Sequence, residues 1–211
     1  MAGLLSPDSR VYQSWSLAAD LVILNWLTII GSIPLFTAGA SLAATTRVTA
    51  EMVREEETYV VRSWWKYYRE NFRQAETVWI PAFVLYLGFW LEQRYLKDIP
   101  AIKAASALTG LVFAGALLLT AFLIWYFPLI THFSNTIPNH CANAARLAFL
   151  CLPRTAAALL IFILPFALPV FFPGMVNAVG CFMVAVGISF FIYLTTLLQK
   201  SVLAKLGKNN A

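Results

Sequence analysis

Apolar positions in this chain gather into long runs without charge, and those runs set the predicted elements. From Thr155 to Gln199 there are 45 residues with no charged side chain. As a single helix that stretch would measure about 68 Å, more than twice the roughly 30 Å hydrocarbon core of a bilayer, so it must cross, turn and return. Pro169, Pro173 and Gly174 interrupt it, which predicts spans over about 155–172 and 175–198 with a corner at Phe172-Pro173-Gly174. Asp20 and Arg47 enclose another uncharged run, predicting a first span over about 16–36 that Pro34 and Gly39 end. A further run predicts a span over about 104–130 and closes on Trp125, Tyr126 and Phe127, an aromatic cluster suited to a membrane interface. The span expected over 75–96 is free of charge only from Thr77 to Leu91, with Glu76, Glu92 and Arg94 near its ends where they can snorkel to headgroups.

The expected fold is therefore all-α: a polytopic membrane bundle of about five spans, with segments 37–74 and 132–154 between them on the cytosolic side. An odd number of crossings puts the termini on opposite sides. Segment 37–74 reads as two helices, about 41–54, rich in Ala and Thr, and about 60–74, with Glu55-Glu56-Glu57 between them. On the second, Trp64, Tyr68 and Phe72 recur every four residues, Trp65 and Tyr67 flank them, and Arg62, Lys66, Arg69 and Arg73 share an overlapping face. Aromatic anchors beside basic residues suit a helix lying at the bilayer interface, and docking onto a partner protein is the alternative. Two stretches echo each other: Ile33-Pro34-Leu35-Phe36-Thr37 and Phe127-Pro128-Leu129-Ile130-Thr131. Each leads through a basic segment back to the membrane, at Asn71-Phe72-Arg73-Gln74-Ala75 and at Cys151-Leu152-Pro153-Arg154-Thr155. Either the chain is a parallel repeat of helical hairpins or two short proline-containing matches arose in a sequence of low diversity.

Composition agrees with a membrane protein: 60% hydrophobic residues, 12% charged, and a mean hydropathy of +0.73. One integral membrane domain over residues 1–211 is expected. Of the 15 Lys and Arg residues, eleven fall in 37–75, 132–154 and the tail, against Arg10, Arg94, Lys97 and Lys103 on the other side. Basic residues resist translocation, so the N-terminus is expected outside and the C-terminus in the cytoplasm. The net charge of +5 then reports topology. Nucleic acid is not an expected partner, because Glu51, Glu55, Glu56, Glu57 and Glu70 interleave with the basic residues. Met1 to Trp15 lack the pattern of a cleaved signal, so the first span is expected to be retained. Cys141, Cys151 and Cys181 have neither paired nor metal-ligand spacing and read as packing residues.

Candidate chemistry is sparse. Asn25 is the one strongly polar residue near a predicted midplane, where an interhelical hydrogen bond or a ligand contact would use it. Ala107, Gly110, Ala114 and Ala121 form a small-residue strip, and Gly180 with Gly187 a second, suited to packing within the bundle or between copies in a homo-oligomer. His132 and His140 stand eight residues apart without a carboxylate or cysteine at ligand spacing, so they read as satisfied loop histidines. No catalytic residue, metal site or cofactor is expected, and neither a P-loop nor a nucleophile elbow occurs in the sequence. Phe149-Leu150-Cys151-Leu152-Pro153 partly resembles the end of the coupling loop by which ABC permeases touch their ATPases, without that loop's acidic start and Asp-Gly turn. A plain helix stop before Pro153 is the alternative.

Asn25-Trp26, Ile33 to Ser41, Asn71 to Ala75, Phe133-Ser134-Asn135-Thr136 and Leu152-Pro153-Arg154 together resemble the YesL-like family of small bacterial membrane proteins. Pro-x-x-Thr-x-Gly and Asn-Phe-x-Gln-Ala follow the family's order, whereas Trp26 follows Asn25 directly where the family has Asn-Leu-Leu-Trp. The family has no established activity. Its usual setting beside carbohydrate ABC importers implies an accessory role in the bacterial cytoplasmic membrane, with permease or ATPase subunits as partners besides the lipid bilayer. Contacts would then come from Trp64, Trp65, Tyr68, Phe72, Arg73, Gln74, Phe149, Leu152 and Arg154. A small oligomeric transporter or channel, and a membrane sensor or assembly factor, are the alternatives.

Overall fold

A computed structural model describes residues 10–56, 59–96 and 102–209. The readings above that concern Met1 to Ser9, Glu57 and Lys97 lie outside the described residues, as do the side chains of Arg10 and Lys103. The described chain is all helix and turn: α1 Arg10–Gly31, α2 Ala38–Val53, α3 Val60–Leu96, α4 Ile102–His132, α5 Ile137–Leu150, α6 Leu152–Phe171, α7 Val176–Phe182 and α8 Ile188–Asn209. Short 3-10 turns at Leu35–Thr37 and Pro173–Met175 join α1 to α2 and α6 to α7, and a π turn at Met183–Gly187 joins α7 to α8. Four segments among the described residues are long and apolar enough to cross a membrane: Gln13–Gly31, Ala107–His132, Leu152–Phe171 and Pro173–Lys208. Only 17–33% of their most apolar stretches is buried by the rest of the protein, as expected of helices facing lipid.

The centre of the bundle is α2. It packs against α1, α3, α4 and α8, and thirteen of its 16 residues are buried. Ala, Gly, Ser and Thr make this placement work, because small side chains let four neighbouring backbones approach closely, and hydroxyls find partners inside the bundle. Thr45 meets the Thr28 hydroxyl of α1 at 2.6 Å and accepts from the Trp64 indole of α3 at 3.1 Å. Ser41 donates to the Thr28 carbonyl at 2.8 Å, and Thr49 meets Thr196 of α8 at 3.2 Å. The placement of residues 37–74 as a segment between spans is therefore corrected for α2, which is bundle core.

A second correction concerns α3. The expected helix over 60–74 and the expected span over 75–96 are one helix of 37 residues, about 55 Å long. Nothing between Asn71 and Ala75 breaks a helix, and Pro81, which does fall inside, is absorbed. Glu76, Glu92 and Arg94 keep its C-terminal half out of the four most apolar segments. A third difference is the C-terminal run, which passes through the π turn and continues to Asn209, beyond the expected end near 198. The two echoed proline stretches also differ in backbone: Pro34 sits in the turn before α2, whereas Pro128 lies inside α4. What recurs is the order of long helix, short helix, long helix, in α1–α3 and in α4–α6.

Candidate functional site

The turn after α1 builds a polar junction between three helices. Thr37 is the residue that would cap α2, but its hydroxyl is turned back, 2.8 Å from the carbonyls of both Gly31 and Pro34. The free amide at the start of α2 is instead taken by α3: Ala40 N–H donates to Glu76 Oε1 at 2.7 Å. A helix N-terminus favours a carboxylate, so Glu76 serves as a cap supplied from another helix. Trp79, one turn further along α3, donates its indole N–H to the Leu35 carbonyl at 2.8 Å. Gly39 makes this approach sterically feasible, because a Cβ there would lie 2.4 Å from Trp79 Cβ. Glu76 is 5% exposed, and its Oε2 is buried without a hydrogen-bond partner. The Pro-x-x-Thr-x-Gly turn thus forms one side of a joint whose other side is Glu76 and Trp79, just beyond Asn-Phe-x-Gln-Ala. Glu76 and Trp79, which close it, are not among the residues sequence reasoning singled out as site candidates.

On α3 the aromatic ladder splits between core and surface. Trp64 is buried at 3% exposure, correcting its reading as a surface anchor, and a Cβ on Gly31 would strike its ring at 2.7 Å. Tyr68 is half-buried and stacks on both tryptophans, while Trp65 and Phe72 remain exposed with Arg73 beside them. Arg69 sits over the Trp65 ring at 4.6 Å, a cation–π contact beside the stack with Tyr68. Gln74 is half-buried, and its carbonyl accepts from the Tyr126 hydroxyl at 2.7 Å. At the corner between α5 and α6, Phe149, Leu150, Leu152 and Arg154 are all exposed.

Asn25 is fully buried and spans the π turn. Its amide donates to the carbonyls of Met183 at 3.1 Å and Val184 at 2.8 Å, and its oxygen accepts from Ser189 N–H at 3.1 Å. Those carbonyls are ones a π turn leaves without an ordinary helical partner. The small-residue strips behave differently. Ala107, Gly110, Ala114 and Gly180 face outward, with nothing near a Cβ on either of the two glycines, so internal packing is corrected for them; Ala121 and Gly187 are buried.

The histidines are also more constrained than loop residues. His132 ends α4, with Nδ1 2.8 Å from the Pro128 carbonyl and Nε2 2.8 Å from an Arg54 nitrogen. His140 is 1% exposed with Nε2 buried and unpartnered, and burial holds its pKa below the usual 6.5. Among the described residues no group of three His, Cys, Asp or Glu side chains is placed to hold a metal.

Between α3, α4, α6 and α8, with α2 behind, lies an apolar cavity of about 770 Å³ walled by Trp79, Tyr86, Phe113, Phe127, Phe162 and Phe166. Polar side chains reach it at Thr46, Thr195, Thr196 and Gln199, but each of these donates to a backbone carbonyl within the bundle. What remains is a largely apolar surface suited to hydrocarbon.

Comparison with known families bears on the first of these sites. Residues 21–91 match the family described as protein of unknown function, DUF624. The DUF624 match runs from α1 through most of α3, so it covers Asn25, the Thr37–Gly39 turn, Trp64 and the Glu76–Trp79 closure. Comparisons with curated proteins and with solved structures return no match.

Proposed function

We propose that the protein is a non-enzymatic integral membrane accessory of a carbohydrate ABC uptake system in the bacterial cytoplasmic membrane. The YesL-like resemblance supports that setting, and the DUF624 match is compatible with it. The observation that carries the docking role is the surface of α3. Trp65 and Phe72 stay exposed on a stretch whose other outward residues include Arg62, Lys66, Arg69, Glu70 and Arg73. So many charges are too costly for the hydrocarbon layer, so this stretch stands at or beyond the headgroups and offers aromatic anchors of the kind that carry binding energy at interfaces. Phe149, Leu150 and Leu152 add an exposed apolar corner on α5 and α6. In the proposed orientation the basic segments and the C-terminal tail face the cytoplasm. A fluorescent protein fused after Ala211 will then fluoresce in bacteria, and a periplasm-dependent reporter at the same position will stay silent.

The test is gentle solubilisation of the tagged protein from its native membrane, followed by mass spectrometry of what co-purifies. Permease or ATPase subunits at near-stoichiometric levels are expected, with recovery lost in Trp65→Ser and Leu152→Asp at unchanged expression. A homogeneous protein without such subunits overturns the accessory reading. A small transporter is the second reading, favoured by the buried carboxyl of Glu76 and by the large cavity. Solute flux into proteoliposomes holding the purified protein alone would select it.

A further inference from the structure

A second cavity, of about 360 Å³, opens where α2 ends, α4 ends and α8 runs past them. Arg47, Arg54, His132 and Lys200 line it together with apolar Phe133 and Leu203, and no acidic side chain is among its lining residues. The cations are held in place mainly by neutral groups. Lys200 Nζ donates to the Val53 carbonyl at 2.9 Å and Arg54 Nε to the Ala50 carbonyl at 3.2 Å, both at the C-terminal end of α2, where a helix favours positive charge. The Pro128 carbonyl engages His132 Nδ1, which leaves Nε2 to accept from Arg54, so the imidazole adds a partner without adding charge. Compensation is partial. Glu51 lies 3.4 Å from Arg47 Nε, which is buried without a hydrogen bond, and Glu56 lies 3.7 Å from Arg54 on a half-exposed side chain. Three cations therefore converge on a concave space whose lining holds no carboxylate, with Glu51 and Glu56 offsetting Arg47 and Arg54 from outside it.

We propose that this cavity binds a phosphate-bearing anion, either a free phosphorylated compound or the headgroup of an anionic phospholipid. A tetrahedral oxyanion has acceptors for several donors at once, and guanidinium groups match its geometry. The wall contributed by Phe133 and Leu203 suits the organic part of either source. Capping of α2 explains why Arg54 and Lys200 sit at that helix end. It does not explain why Arg47, one side of His132 and the same two cations also share a cavity with no carboxylate.

Binding is measured on the full chain in mild detergent, by thermal melting and native mass spectrometry, with pyrophosphate as the soluble probe and phosphatidylglycerol against phosphatidylcholine as the lipid probe. Expected is retention and stabilisation by at least one of the two anionic probes over phosphatidylcholine, weakened about tenfold or more in Arg54→Gln/Lys200→Gln. Arg62→Gln/Lys66→Gln removes the same charge from the outer face of α3 and should leave binding unchanged. Pyrophosphate alone identifies a soluble ligand, and phosphatidylglycerol alone a lipid headgroup. If the cavity variant does not fold, phenylglyoxal modification of the unaltered protein replaces it, with Arg47 and Arg54 protected by the effective probe. Binding of neither probe, equal loss in the α3 variant, or unprotected arginines overturns the proposal.

Discussion

Of the 16 residues of α2 thirteen are buried, while α6 buries three of its 20, although α6 is built from Leu, Ile, Phe, Pro and Ala and α2 from Ala, Gly, Ser and Thr. In water the more apolar helix would be the core. In a bilayer the surroundings are as apolar as leucine, so large hydrophobic side chains gain nothing by turning inward and the interior goes to residues that pack closely and bond to one another. α2 does both, through Ser41, Thr45 and Thr49 and through the amide given to Glu76. α6 makes few such links; Thr155 at its start, which accepts from the Trp125 indole at 2.9 Å, is the main one. Hydrophobicity along this chain therefore does not by itself report burial: α6 is apolar and mostly exposed, whereas the apolar end of α4, where Trp125 and Tyr126 were expected at an interface, is core.

The largest expected effect comes from Gly39→Leu, whose side chain would have to displace Trp79 where backbone and ring are both fixed. We expect about 3 kcal/mol of destabilisation or outright loss of folded protein, read by melting and size-exclusion in detergent. Gly180→Leu on α7, where a Cβ meets nothing within 4 Å, should change stability by less than about 0.5 kcal/mol. Equal effects at the two glycines would break the contrast between centre and periphery. Next is Glu76→Ala, expected to cost about 1–3 kcal/mol by stripping the amide of Ala40 of its buried acceptor. Glu76→Gln keeps an acceptor and should restore most of that stability; a glutamine as damaging as alanine would mean that the charge, and not the hydrogen bond, holds the joint.

Thr45→Val preserves shape while removing the hydroxyl shared with Thr28 and Trp64, for an expected loss of about 1–2 kcal/mol. Leu160→Ala on α6, at a residue 68% exposed, should be nearly neutral by the same melt. The smallest effect is a pH slope at His140. Its folded pKa is depressed below 6.5, so the unfolded chain takes the proton first and stability falls as pH drops through and below 6.5. His140→Gln should flatten melting temperature between pH 7 and pH 5; an unchanged slope would assign it to other groups.

Much of the exterior could be read from sequence, because a run without charge is sufficient to specify a lipid-facing helix. That is why α1, α4, α6 and the α7–α8 arm stand close to their expected places. The centre was hidden by the same rule: α2 has neither the length nor the apolar run of a span, and its role follows from neighbours far away in the chain. Thr37 and Gly39 stood out as a motif, but their meaning depends on Glu76 and Trp79, brought to them only by folding. The π turn had no local sign, since the extra residue is tolerated through bonds to Asn25, some 160 positions away. Trp64 and Trp65 are adjacent in sequence and alike in composition, yet one is core and the other surface, a distinction set by the position of α1.

The continuity of α3 has a mechanical consequence. Between Trp65 and Trp79 the helix contains no proline, and Pro81 comes only beyond the joint with α2. Those 14 residues form a stiff rod about 21 Å long. A load applied at the Trp65 end is not absorbed by a proline bend along it and reaches α2 at both ends of the rod, where Trp64 bonds to Thr45 and Tyr67 to Glu51, and where Glu76 grips the first turn of α2. The tight seat at Gly39 leaves no slack there, so strain passes from the charged end of the lever directly into the innermost helix of the bundle.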